Sequence, residues 1–461
     1  MMPQRFACEL EARDAAQTAM AAAERQKCEE AEAFVCLTGT KSMSVEHNKI
    51  LGGSVIRDSQ VFVRVVDRGR MGVAFTNSLD ADSLKGCVSA AKRLAKANDV
   101  DPKWCGFAGR TGPYRTIGGI EDESIESITM DDLRNGARAM VDSALAEAVG
   151  ITVTSCQLDA VTRTIAVYNT SGVEACFRDA RTSANCGTVS GHGSTVSPDC
   201  YDGRVSRSAD IDYSAVGSTC ASVARACAVS AEARTEESQV IFAPGSIGFP
   251  FNGLLSVILS RACSGESAIQ KTTFLAGLKG HRVGPRQLTI TDDPLTAGLV
   301  GSRPFDDEGV ASRRTPIIAD GVFRGFVWNS YHGSIAKRKS TGNAVRDLST
   351  GYVTSAPHNI SVKPGRRSLH DLVSEVDRGY LVWGCQGAHT SNVETGDFSF
   401  VASPGFLIER GAIVGCVKGA MLSGNVLEIL SGIEKVGGDV TDFGNMVCPS
   451  LLVGGMKVTT A

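Results

Sequence analysis

Hydrophobic and polar positions change period several times along the chain, and each change marks an element. Residues 9 to 32 (ELEARDAAQTAMAAAERQKCEEAE) set alanines at helical spacing with the charges spread to one side, which predicts a helix. The runs AFVCLTG, SMSVEHN, GSVIRD and VFVRVVDRGRMGVAFT then alternate in character between Gly and Asp, the pattern of an antiparallel meander of short strands. Asp80 to Asn98 returns to helical spacing, acids first and Lys/Arg last, which complements the helix dipole. Thr129 to Ala148 predicts another capped helix. The strands ITVTSCQLDA, RTIAVYNT and VEACFRDA follow, the last two turning at Ser171-Gly172, and then a helix from Ala215 to Arg234.

From about Gln239 onward the chain is rich in Gly and Pro, with one helix candidate, Gly253 to Cys263, and many short strand patterns. In RTPIIADGVFRGFVW, Asp320-Gly321 lies between two apolar runs and demands a primed hairpin turn. FLIERGAIVGCV and LLVGGMKVTT predict further hairpins. The implied fold class is α+β. An N-terminal α+β unit (1–100), a linker or surface excursion (101–128) and a middle α+β unit (129–235) combine antiparallel strands with long helices. A mostly antiparallel, β-rich, barrel-like C-terminal domain (236–461) completes the chain.

Composition narrows the function classes. With 47 basic and 50 acidic residues mixed along the sequence, no basic field is present to hold a phosphate backbone, so nucleic acid is not an expected ligand. No run of eighteen apolar residues suggests a membrane span. MMPQRFACELEARDAAQ carries acids where a signal peptide needs an apolar stretch, so a cytoplasmic protein is expected. Fifteen cysteines, odd in number, scattered and without Cys-x-x-Cys, predict free structural thiols.

A helical zinc protease sets two His at i and i+4 with a Glu beside them. His47, His192, His281, His332, His358, His370 and His389 include no such pair. Phosphate loops of the Gly-x-Gly-x-x-Gly or Gly-x-x-x-x-Gly-Lys-Ser/Thr kind are missing too, and the nearest approach to a nucleophile elbow, at Gly187 to Gly191, has the wrong spacing. Two acidic clusters stand out: Asp292 and Asp293 in TDDP, and Asp306, Asp307 and Glu308 in PFDDEG. One reading is a hard-cation site or an acid/base pair; the other is turns in which Asp caps the chain's own amides. Ser340, Thr341, Gly342 and Asn343, with Arg346, offer short donors on a flexible loop, suited to a peptide backbone or a neighbouring subunit, or else an ordinary turn.

The order of segments carries a resemblance. FAPGSIG, TITDDP, RPFDDEGVASRRTPIIADGVFRGFVWNSYHGSIA, STGNAVR, SVKPG, GDFSF (with Asp397, Phe398 and Ser399), GFLIERG and PSLLVGG occur in the series found in the C-terminal domain of TldD/PmbA proteins, once labelled modulators of DNA gyrase. GRMGVAFTNSLDADSL resembles the same family's first domain. The resemblance implies a heterodimer in which the TldD-type chain binds zinc through His-Glu-x-x-x-His on a helix and a Cys near the C-terminus. Here the corresponding helix should fall within Gly253 to Cys263, which offers neither His nor Glu, and Cys448 reads as structural. The chain thus resembles the TldE/PmbA type, with no cofactor of its own and zinc expected in a TldD-like partner. A homodimer is one state open to the chain when it is alone. Its implied role is to wall a cavity in which an unfolded peptide pairs as an added strand. On that reading the residues numbered above are candidates for the substrate cavity or the interface. The alternatives are a stand-alone binding or regulatory protein, acting on a topoisomerase or a toxin-antitoxin component, and a homodimeric hydrolase using Asp306, Asp307 or Glu308.

Overall fold

The computed structural model describes residues 8–460 apart from 192, 194, 195 and 250–252, so His192 lies outside the described residues. Helix α1 (Glu9–Arg25) buries Ala12, Ala15, Ala16, Ala19, Ala22 and Ala23, a stripe of small side chains that lets it lie close to the sheet beneath. The short runs expected next are fused into long strands, β1 (Glu30–Glu46) and β2 (Lys49–Asp67), joined at His47-Asn48, where both residues have positive φ. Two such residues give a primed turn whose twist matches the strands, so pairing continues without a break. Strand β3 (Arg70–Thr76) and helix α2 (Ala81–Ala97) follow, the helix started by Asp80 accepting from the amides of Asp82 and Ser83.

Segment 101–128 is an excursion that lies on the body and buries Phe107, Ile117 and Ile125, with helix α3 (Glu123–Ser127) near its end. Helix α4 (Met130–Glu147) opens with a capping box between Thr129 and Asp132. Strands β4 (Ile151–Asn169), β5 (Glu174–Ser190) and β6 (Cys200–Ser206) come next, then helix α5 (Tyr213–Ala226), which stops well before the expected Arg234. The six strands form one sheet in the order β3-β2-β1-β4-β5-β6, with β1 paired to β4 from Glu32↔Asn169 to Glu46↔Ser155. Residues 1–100 and 129–235, expected as separate units, therefore contribute to a single sheet.

The C-terminal half holds a ten-stranded sheet, a second six-stranded one and a two-stranded one. In the first, Glu236–Phe242 lies between Leu451–Thr460 (antiparallel) and Arg378–Val382 (parallel) at the centre of ten strands. In the second, Ile290–Asp292 pairs with Thr315–Ala319 and Ile360–Val362. Asp320-Gly321 joins Thr315–Ala319 to Val322–Phe323 with positive φ at both residues, as the sequence demanded. LLVGGMKVTT, expected to turn back as a hairpin, is instead one strand with a register shift between Val453 and Met456, where Gly455 adopts φ 68°. A bulge of this kind bends a strand without ending it. All fifteen cysteines are free thiols, and most are buried. No helix among the described residues is long and apolar enough to cross a membrane.

Two glycines should respond oppositely to alanine. At Gly321 (φ 75°) a Cβ would lie 2.1 Å from the Gly284 carbonyl oxygen, whereas at exposed Gly86 in α2 nothing lies within 4 Å. Denaturant melts should show Gly321→Ala losing at least about 1 kcal/mol and Gly86→Ala gaining about 0.5–1 kcal/mol.

Candidate functional site

The acidic clusters converge on the seam between the N-terminal sheet and the C-terminal half. Glu32 of β1 lies opposite Arg64 of β2, and the guanidinium donates to both carboxylate oxygens at 2.8 Å. Arg346, which follows the STGN loop, donates to the same Glu32. Its own backbone N–H donates to Asp307 at 2.8 Å, and Arg303 pairs with the other oxygen of Asp307. Glu308 stands 3.8 Å from Arg64 and accepts from the Ser330 amide at 2.8 Å. Each guanidinium also lies over an aromatic ring: Arg346 over Phe34 (4.6 Å), Arg64 over Phe107 (5.0 Å) and Arg303 over Phe177 (5.5 Å). Two adjacent carboxylates of PFDDEG, Asp307 and Glu308, thus join Glu32 among the guanidinia of Arg64, Arg303 and Arg346, with almost no solvent between them.

Asp306 and Asp292 do a different job. Asp306 accepts from the amides of Glu308 (3.0 Å), Val310 (2.9 Å) and Ala344 (2.8 Å), closing the PFDDEG turn and tying it to the strand Ala344–Arg346. Asp292 accepts from Asn343 Nδ2 (2.6 Å) and from the amides of His358 and Asn359 (2.8 Å each). This is the amide-capping reading, carried out in the interior. Burial, and then the neighbouring Glu308 carboxylate, push Asp306 up to about 8, and burial pushes Asp292 up to about 6. For Glu32 the desolvation is outweighed by Arg64 and Arg346, and for Asp307 by Arg303, so both sit below the ordinary carboxylate value. His358, fully buried beside Arg303, is driven down to about 3 and stays neutral, with Nε2 3.2 Å from the Gly342 carbonyl.

The other candidates are placed as follows. Asp293 is half-buried, caps the Leu295 amide at 3.1 Å and lies 3.6 Å from Arg314. The hydroxyls of Ser340 and Thr341 donate to the Trp328 carbonyl, and the Thr341 hydroxyl accepts from the Trp328 amide, so the loop expected to be flexible is tied down. Gly342 adopts φ 74° against Ala311, and Asn343 is fully buried. Asp397, Phe398 and Ser399 lie on Asp397–Ala402 in the ten-stranded sheet, apart from the acidic seam. Asp397 and Ser399 are exposed, and Phe398 is buried against Phe400. The structure therefore brings together Asp292, Asp306, Asp307, Glu308, Asn343 and Arg346, and it walls them inside the chain rather than along a cavity. Glu32, Arg64 and Arg303 went unnoticed in the sequence. Arg64 carried a signal, a lone charge inside the apolar run VFVRVV, Glu32 stands at the head of the apolar run AFVCL, and Arg303 in GSRPFDD carried none.

Two family profiles match this chain. One, described as the PmbA/TldA metallopeptidase C-terminal domain, covers residues 235–460, and one described as PmbA/TldA metallopeptidase domain 1 covers residues 31–95. The chain belongs to the PmbA/TldD metallopeptidase family. It is 26% identical to the metalloprotease PmbA of Escherichia coli O157:H7, over 94% of this chain and 92% of that one. It is 25% identical to a metalloprotease TldD homolog of Haemophilus influenzae, over 88% and 85%. The crystal structure of TldE from Thermococcus kodakarensis superposes with a TM-score of 0.88 at 28% identity, covering 96% of this chain and all of that one. Identity to the two branches is nearly equal, so local chemistry must separate them.

The PmbA/TldD resemblance puts the zinc motif on the helix Leu254–Ala262, which buries Leu254, Leu255, Ile258, Leu259 and Ala262 and has no imidazole or carboxylate. The nearby thiols are poor donors. Burial raises Cys263 to about 12 and lifts Cys385 and Cys448 far above the ordinary thiol value, and a zinc ligand must be a thiolate. Cys448 points at the Pro244 carbonyl (3.5 Å) and Cys385 at that of Ser246 (3.4 Å). Among the described residues no group of three or more His, Cys, Asp or Glu is arranged to hold a metal ion, and these side chains do not fit zinc.

Glu32→Ala would take from Arg346 its paired carboxylate and leave Arg64 only Glu308 at 3.8 Å, and urea melts should show a loss of about 3–5 kcal/mol. The pH response should carry the opposite sign to an ordinary salt bridge. Asp306 and Asp292 hold their protons more tightly folded than unfolded, so stability falls as pH rises from about 4 through about 6 and about 8. Asp306→Asn should flatten that decline in urea melts run at successive pH values.

Proposed function

We propose that this chain is the non-catalytic, TldE-type subunit of a two-component zinc metallopeptidase acting on unfolded peptides. The observation that carries the reading is the donor-free helix Leu254–Ala262, set in a fold that otherwise follows TldE of Thermococcus kodakarensis from end to end. Loss of the ligands with retention of the fold leaves a body whose use is shape and surface. Zinc, and the hydrolytic chemistry it supplies, belongs to a TldD-like partner, and the heterodimer is cytoplasmic. Left alone, this chain pairs with a second copy.

Its own residues act by presenting backbone and exposed polar groups to an extended peptide. Asp397–Ala402 lies between Ala420–Asn425 and Cys385–Gln386, so what it offers a peptide is its exposed face and not an open edge. Asp397 and Ser399 face outward, Phe398 and Phe400 anchor the strand from below, and Thr395 and Asn425 hold the Asp397 carboxylate by hydrogen bonds. Main-chain hydrogen bonds from an open strand edge elsewhere on the cavity wall would tolerate varied side chains, as a peptidase of unfolded chains requires. The seam of Asp306, Asp307 and Glu308 has the opposite character. Buried and committed to the chain's own amides and guanidinia, these carboxylates are poor candidates for an independent hydrolase.

Co-expression with a homologue bearing His-Glu-x-x-x-His tests the proposal. The two chains should co-elute on size exclusion, and peptide cleavage should be seen with the partner present and never with this chain alone. This chain by itself should contain no zinc by elemental analysis. Stoichiometric zinc in the lone chain, or cleavage by it, would overturn the reading.

A further inference from the structure

A second feature lies on the far side of the STGN loop. An open pocket of about 530 Å³ is rimmed by five cations, Lys279, Arg313, Arg324, Arg338 and Lys339, and floored by Phe326 and Trp328. No Asp or Glu lines it, and among the described residues none of the five pairs with a carboxylate. Several local devices bring them together. The Asp320-Gly321 turn folds the Arg324–Trp328 segment back beside Thr315–Ala319. Lys337, at φ 54°, ends the helix Ser330–Ile335 and delivers Arg338 and Lys339 to the rim. Lys279 lies along the bare backbone of Gly325, its Cε 3.7 Å from where a Cβ would stand. Phe326 and Trp328 meet edge to face at 6.2 Å.

The formal charge of the whole chain is −3, so five uncompensated cations around one concavity are a local reversal of sign. A bound anion would relieve their mutual repulsion beyond what solvent and salt already screen. The rest of the chain is net acidic, so a nucleic acid long enough to leave the pocket would meet repulsion. The donors are long side chains around a wide mouth, not converging backbone amides of the kind that cradle a phosphate. Arginine forks match carboxylates, and the two rings offer an apolar seat between them.

We propose that this pocket binds an acidic peptide segment, carboxylates on the cationic rim and an aromatic or branched side chain on Phe326 and Trp328. The inference rests on the proposed function in taking peptide as the ligand, and it names the class of peptide. Fluorescence anisotropy on the full chain alone tests it, using a fluorescein-labelled peptide of alternating glutamate and leucine and a lysine-leucine counterpart. The acidic peptide should bind and the basic one should not. Arg324→Glu with Arg338→Glu should weaken binding about 10-fold or more without shifting the thermal melt, both side chains being exposed. Lys339→Glu alone should act in the same direction should the double variant fold poorly. Trp328→Ala should weaken the same peptide. Absence of binding at millimolar peptide, equal binding of the basic peptide, or unchanged affinity in the charge-reversed chain would overturn the proposal. So would full displacement by tripolyphosphate with no effect of Trp328→Ala, which marks a simple anion site. None of these outcomes bears on cleavage by the co-expressed pair, so the two ideas fail separately.

Discussion

Glu32 is a carboxylate removed from water in the middle of a β-sheet, and much of the architecture follows from what that requires. An ion in so apolar a setting is tolerated only when its partners are close and well aligned. Arg64 meets it from the neighbouring strand, and Arg346 reaches it from the other half of the chain. To be present, Arg346 must sit on the short strand held by Asp306 and Asp307, and those carboxylates must in turn be held by Arg303 and by backbone amides. One buried charge thus sets the relative position of two sheets. Arg207 performs a parallel service nearby, its guanidinium donating to the carbonyls of Ala180, Leu299 and Ser302.

The same constraint separates the seam from the helix Leu254–Ala262. Where ions are needed the chain supplies partners for each one. Where the PmbA/TldD resemblance would place ligands, it supplies leucine, isoleucine and serine, and leaves the nearby thiols protonated by burial. A site for a divalent cation cannot be assembled from such groups without unsatisfied polar atoms, and the helix sits in the apolar core instead.

Much of this was legible in the sequence where the governing physics is local. The caps at Asp80 and Thr129, the Asp320-Gly321 turn and the alanine stripe of α1 depend on neighbours within a few residues, and each lies where the pattern put it. The fold class followed from them. What escaped was set by distant partners. LLVGGMKVTT carries a diglycine that reads as a turn, yet strands on both sides hold it extended and the glycines become a bulge. The short N-terminal runs fused because Gly39 and Ser59, which read as breaks, are held in continuous ladders, and the chain reverses only at His47-Asn48 and Arg68-Gly69. The PFDDEG acids could be read either as a cation or acid/base site or as amide caps, and not as ion-pair partners, because Arg64, and the Glu32 that Arg346 must reach, lie far back in the N-terminal sheet. Only the odd charges beside AFVCL and within VFVRVV hinted that something waited across the sheet.

The continuity of the first sheet has an evolutionary corollary. Because β1 is zipped to β4 along nearly its whole length, the opening hundred residues are not a cassette that recombination could lift out and set on another protein. Excision would bare a long ladder of amide and carbonyl groups on both fragments, each an invitation to aggregate. A recombination event that keeps the sheet whole therefore has to carry the two segments together.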